Sequence, residues 1–228
     1  MMTALSQAFD LMLSADPRLI EIILVTLRMS VASSLVALLI GVPFGVFLAT
    51  RRSRLKAVPI ILNRTMMGLP PVVCGLFCYL MFCGVGPLRG LELLYTVEGM
   101  VVAQVLLITP VVAGNIEAYV NDIAGPIRET AHGLGLSAWR SMLLVMTECR
   151  YQVITVYLIA FGRAIAEVGA VTMVGGAIAY KTNVMTTAIM MYTNRGDFTL
   201  GIALGIILLL MFLVINVAVG LFQMRLSR

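Results

Sequence analysis

Charge is scarce in this chain. Asp, Glu, Lys and Arg together make up 12% of its 228 residues, against 61% hydrophobic residues. A water-soluble domain carries about 25% charged residues, so the mean hydropathy of +1.02 excludes a soluble globule and points to a bilayer. Histidine is limited to His132, in a polar stretch far from the cysteines. Three of the four cysteines, Cys74, Cys78 and Cys83, share one apolar run and Cys149 stands apart, so they read as packing residues and no metal site is expected. The only lysines are Lys56 and Lys181, and no Gly-x-x-x-x-Gly-Lys-Ser/Thr phosphate loop occurs, which excludes ATP hydrolysis by this chain on its own. The apolar runs also lack the strict alternation of barrel strands. The first 18 residues contain Asp10 and Asp16 in place of a basic start, and the apolar run after them is too long for a secretory signal, so the first span is expected to stay in the protein.

What remains is helical. About 20 apolar residues cross the hydrocarbon layer as a helix, and five runs qualify: Leu19 to Thr50, Val58 to Cys83, Thr96 to Val120, Arg150 to Met173, and Leu200 to Phe222. Helices satisfy their own backbone within lipid, so residues 1–228 read as one all-α membrane domain of about five transmembrane helices. Cytoplasmic loops are rich in Lys and Arg. Arg51, Arg52, Arg54 and Lys56 follow the first span, Arg128 and Arg140 lie in the third loop with Arg150 at its edge, and Arg225 and Arg228 end the chain. The other side has Arg18, Arg89, Lys181 and Arg195. The expected topology is N-terminus outside and C-terminus inside, with one sizeable cytoplasmic loop from Asn121 to Cys149. The net charge of +5 is then a topology signal, and no nucleic-acid partner is expected.

Helix breakers fall inside the spans at Gly41-Val42-Pro43-Phe44-Gly45, at Pro110 and at Gly68-Leu69-Pro70-Pro71. Proline removes a donor and clashes with the preceding turn, so each site is expected to kink or break its helix. Pro70 and Pro71 make the second span a candidate for a hinge or cavity border, because freed carbonyls must face protein or water. Arg28, Arg64, Arg163 and Glu167 are charges within spans, each costing about 2.5 to 3.5 kcal/mol near the bilayer centre. Arg163 and Glu167, four residues apart, share a face if the helix is continuous. They either neutralise one another or leave Arg163 to greet an anion, while Arg28 and Arg64 are expected to snorkel or bind carbonyls. Small residues, among them Gly162, Gly169, Ala170, Thr172 and Gly175, make the fourth span a surface for close helix contact, within its own bundle or with a second copy. The segment Val174 to Asp197, with Lys181, Thr182, Thr186 and Thr187, is a candidate cover for the outer mouth.

The loop Asn121 to Cys149 carries Leu134, Leu136, Trp139, Leu143 and Leu144, more apolar surface than a loop facing water needs. It reads as a docking helix for a soluble protein or an amphipathic helix on the membrane surface, with Ser137 or Asn121 available as caps. Here Glu129, Thr130, Ala131 and Gly135 resemble the Glu-Ala-Ala, three residues, Gly motif in transmembrane subunits of ABC importers. The remainder of that motif, Ile-x-Leu-Pro, departs, since Val145-Met146-Thr147-Glu148 stands in its place. A narrower likeness covers most of the chain. Asp16-Pro17 through Ser30, Met67 to Val73, Phe161 to Ala170, Val174 to Gly176, Val184 to Ile189 and Arg195 to Phe198 resemble the tungstate-type permeases of that class, relatives of the molybdate and sulfate permeases.

The resemblance implies a molybdate-permease-like fold in a prokaryotic inner membrane and a non-catalytic subunit. It also implies a second copy of the permease, an ATPase subunit that holds ATP and Mg, and an extracytoplasmic solute-binding protein. It implies coupling through Glu129, Thr130, Ala131, Gly135 and Trp139. Pro70, Pro71, Arg163, Glu167, Gly169 and Thr172 are the candidates for pathway or gate. A gradient-driven secondary transporter is the rival from another class; it would show internal repeat symmetry and midplane carboxylates.

Overall fold

A computed structural model describes residues 10, 13, 14, 16–50, 57–137, 140, 143, 144, 147 and 150–226. Among these, every regular element is helical: α1 (Pro17–Thr50), α2 (Ala57–Met67), α3 (Pro71–Phe82), a 3-10 turn (Arg89–Leu91), α4 (Val97–Gly133), α5 (Arg150–Ala166), α6 (Gly169–Gly175), α7 (Met185–Asn194) and α8 (Phe198–Leu226). Three of them, α1, α4 and α8, are long and apolar enough to cross a bilayer. The pairs α2–α3, bent by 97°, and α5–α6, bent by 58°, bring the number to five where each pair counts as one span. These are the five runs expected from hydropathy.

The centre of the bundle is the contact of α1, α4 and α5, where Val42, Val46, Ile108, Val112, Ile116, Val156, Ala160 and Ala164 are buried together. Gly41 and Gly45 permit it. A Cβ on Gly41 would lie 2.7 Å from Val112 Cγ1, and one on Gly45 would lie 2.5 Å from the Ala113 carbonyl oxygen. This is the small-xxx-small contact by which membrane helices approach closely. Of the kink or break expected at Gly41 to Gly45, the break does not occur: Pro43 lies inside the continuous α1, and the glycines serve packing. Pro110 likewise lies within the unbroken α4.

Polar side chains link the helices inside this core. Ser33 donates to Gln104 Oε1 at 2.5 Å, and Gln104 Nε2 donates to the Ala164 carbonyl at 2.7 Å, so one glutamine on α4 bridges α1 and α5. Thr26 of α1 accepts the Met185 amide at 2.9 Å and so joins α1 to the start of α7. A second cluster sets Leu19 and Ile22 against Met185, Ala188, Leu200 and Leu204, seating the start of α8. Cys74 and Cys78 are buried with Phe82, Ala103, Leu107 and Val174, in the packing role expected of them.

Candidate functional site

Two parts of the molecule gather the candidate residues. The first is the turn at the end of α4. That helix has 37 residues, roughly 55 Å at 1.5 Å per residue, against a hydrocarbon core of about 30 Å. The apolar run read from the sequence ends at Val120, and the helix continues past it for a further 13 residues, to Gly133. Most of the first half of the expected loop is thus a continuation of the third span. Asn121 lies mid-helix and not at a helix start; its Nδ2 donates to Glu117 Oε1 at 2.5 Å.

Glu129, Thr130 and Ala131 occupy the last turns of α4, with Ala131 buried. Gly135 has φ +65°, in the left-handed region that favours glycine. The Leu136 amide reaches back to the Ala131 carbonyl at 2.9 Å, the six-to-one bond of a Schellman motif with Gly135 at its left-handed position. Two residues on, Ser137 Oγ accepts the Arg140 amide at 3.4 Å, the spacing of a helix N-cap. The glycine therefore ends one helix and the serine opens the next segment. Leu134, at the apex, is 69% exposed and Leu143 is exposed too, leaving apolar surface unpartnered at the tip. Trp139 and Cys149 lie outside the described residues.

The second part is where the two broken helices meet. α2 ends with i to i−3 bonds at Gly68 and Leu69, Pro70 is extended at φ −61° and ψ 127°, and Pro71 opens α3 at its first position. A proline forces the residue before it out of the α region and itself suits the start of a helix. The other break has no proline. α5 stops at Ala166, Glu167 and Val168 are non-helical, and α6 starts at Gly169. Three polar groups at this break are held by hydrogen bonds. The Glu167 carboxylate accepts the Ala170 amide at 3.1 Å, the Glu167 carbonyl accepts the Thr186 hydroxyl at 2.9 Å, and Gln104 holds the Ala164 carbonyl. The breaks touch: a Cβ on Gly169 would lie 2.9 Å from Val72 Cγ2 and 3.4 Å from Pro71 Cβ, and one on Gly75 would lie 2.7 Å from Ala170 Cα.

Pro70, Pro71, Glu167 and Gly169 are thus brought together, and Arg163 is not. The shared face expected for Arg163 and Glu167 requires a continuous helix, which ends between them. Glu167, 9% exposed, turns to α6, while Arg163 is exposed and forms no ion pair among the described residues. Thr172 donates to the Val168 carbonyl at 2.7 Å within α6. The hydroxyls of Thr182, Thr186 and Thr187 are likewise engaged with backbone, at the Gly175, Glu167 and Val184 carbonyls.

Two further charges have acidic partners that the sequence did not suggest: Arg28 stands 3.8 Å from Glu98 and Arg64 3.6 Å from Glu117, with both arginine side chains largely exposed. Glu117, buried on α4, escaped sequence reasoning because it stands near the expected end of a span. Its spacing of four from Asn121 was the available signal.

A bundle built round broken helices, with a glycine-ended turn projecting from its longest helix, suits a transport subunit that answers to a partner. Residues 41–228 match the family described as "Binding-protein-dependent transport system inner membrane component". The chain belongs to this family. This permease is 32% identical over 212 residues to the tungstate uptake system permease protein TupB of Peptoclostridium acidaminophilum, covering 93% of each chain. It is 36% identical over 212 residues to a "Probable anion ABC transporter permease protein" of Haloferax volcanii, covering 91% of each. It is 34% identical over 210 residues to TupB of Campylobacter jejuni, covering 92% of this chain and 88% of that one. The permease is accordingly a multi-pass inner-membrane component of a transport system, as the resemblance read from its motifs implies.

Proposed function

We propose that this permease is the membrane-spanning, non-catalytic subunit of an ATP-driven ABC importer for an oxyanion, with tungstate as its cargo. The observation that carries the reading is the turn from Glu129 to Ser137, because it joins a motif of ATPase-coupled subunits to a helix that runs unbroken through the bundle. A separate ATPase subunit, which holds ATP and Mg, grips this turn and the exposed Leu134 beside it. Two copies of the permease enclose the pathway, and an extracytoplasmic binding protein delivers the anion to an outer face that also bears the N-terminus. The names of two relatives supply the cargo. The molybdenum permease of Azotobacter vinelandii, at 28% identity over 181 residues, is more distant.

Arg163 supports the placement of the pathway. It stands roughly 20 Å along α5 from Arg150, and an arginine facing lipid at that depth costs about 2.5 to 3.5 kcal/mol. Its exposed face therefore meets water or the second copy, where a cation offsets the dehydration of an entering oxyanion. ATP binding draws the two docking turns together, the bundles rock about their broken helices, and the open side changes; hydrolysis resets the cycle.

The test is tungstate uptake by proteoliposomes holding permease, ATPase and binding protein. Gly135→Pro is expected to abolish ATP-dependent uptake in a complex that still inserts, because proline cannot adopt a φ of +65°. Uphill uptake by the permease alone would defeat the reading and favour a gradient-driven transporter.

A further inference from the structure

We propose that Glu117 is a positioning residue for transport: its buried carboxylate fastens the half-helix α2 to α4, so that movement of the docking turn is delivered to the proline break at residues 68–71. The inference rests on the ATP-coupled reading above and adds the route by which the motion arrives.

One stripe of α4 carries the argument. Pro110, Gly114, Glu117 and Asn121 are spaced by four, three and four residues and so share a face of the helix. α2 lies along that face. Asn63 Nδ2 donates to the Pro110 carbonyl at 3.1 Å, and Gly114 admits Met67 and Asn63 so closely that an added Cβ would lie 3.0 Å from Met67 Cε and 3.3 Å from Asn63 Nδ2. Arg64 Nη2 stands 3.6 Å from Glu117 Oε2, while the other carboxylate oxygen receives Asn121 Nδ2. Glu117 therefore divides its oxygens between its own helix and α2. It is 3% exposed, whereas the Arg64 side chain is 66% exposed. A buried ionic contact seldom adds net stability over an apolar pair of the same shape, and Gly114 with Met67 already provides close packing. A charge at this point is better explained by what it connects.

It connects two mechanical ends. Met67 is the last residue of α2 and immediately precedes the 97° break. From Glu117 to Gly133, α4 continues without interruption for roughly 24 Å, ending at the docking turn. An unbroken helix transmits tilt and translation to whatever is fastened along it. The fastening lies on the half-helix just before the break, where a small tilt of α2 changes the angle it makes with α3.

The measurement is the number of tungstate ions imported per ATP hydrolysed, in proteoliposomes holding permease, ATPase and binding protein. Glu117→Gln keeps the shape and the bond to Asn121 but removes the charge facing Arg64. It is expected to lower the ratio roughly tenfold while ATP hydrolysis continues. Arg64→Gln alters the exposed partner, so it carries the test if Glu117→Gln fails to assemble, and the same fall is expected of it. Arg64→Glu combined with Glu117→Arg is expected to recover most of the ratio, which a merely structural role does not predict. An unchanged ratio in both single variants, or hydrolysis and uptake lost together without recovery in the double, overturns the inference. If uptake proves independent of the ATPase, the functional reading itself fails; if it stays ATP-dependent but indifferent to Glu117, only this relay does.

Discussion

The two breaks in this bundle reach similar ends by different chemistry. At residues 68–71 the discontinuity is covalent: Pro70 and Pro71 withhold backbone donors and fix an extended entry to α3, so local sequence produces the bend. At residues 167–168 no residue forbids a helix. The bend persists there because the freed polar atoms find partners: Gln104 from α4 and Thr186 from α7 arrive from elsewhere in the fold, and the Glu167 side chain caps the start of α6 locally. Unsatisfied backbone costs several kcal/mol in lipid, so a break without proline survives only where such partners are arranged. The first break is a property of a segment, and the second is a property of the bundle.

That contrast can be broken experimentally. The largest effect is expected from Gly169→Leu, which drives a side chain into Val72 and Pro71 where the two breaks touch. Overpacking of about 3 kcal/mol should appear as a lower midpoint for thermal unfolding in detergent and as loss of the assembled permease. Gln104→Leu comes next. It leaves the Ala164 carbonyl and the Ser33 hydroxyl without their shared partner, and about 1 to 3 kcal/mol of destabilisation is expected from denaturant titration. Thr186→Val removes a single hydrogen bond to the Glu167 carbonyl and should cost about 1 kcal/mol in the same assay.

Replacing both Pro70 and Pro71 by Ala is expected to change stability least, by less than about 1 kcal/mol, since helix formation is eased where proline was opposed to it. Its signature is geometric. Spin labels at the exposed positions Leu62 and Leu80 should move apart as the 97° angle opens, whereas Gln104→Leu should leave that distance unchanged. Equal responses of the two variants would erase the distinction between a local and a tertiary break.

Legibility follows the same line. Gly135 could be read from the chain because a motif and a glycine at a left-handed position are both local. The Glu129 to Ala131 segment was readable for the same reason, though its continuity with the third span was not, since Asn121 and Asp122 look like the start of a loop until the helix is seen to pass through them. Arg163 and Glu167 misled because four-residue spacing means a shared face only while the helix lasts. Arg64 and Arg28 found partners 53 and 70 positions along the chain, Glu117 and Glu98. Separations of that length carry no periodic signal.

By itself the sequence determined the solvent, the number of apolar segments, the proline break and the glycine-ended turn after Ala131, since each depends on the composition or backbone preference of contiguous residues. The tertiary structure alone decided which charges pair, that Gly41 and Gly45 pack a helix instead of breaking it, and that α5 ends at Ala166. Those outcomes depend on which distant side chain arrives to satisfy a polar group or fill the space beside a glycine, and in a medium without water that arrival is what makes the local conformation stable.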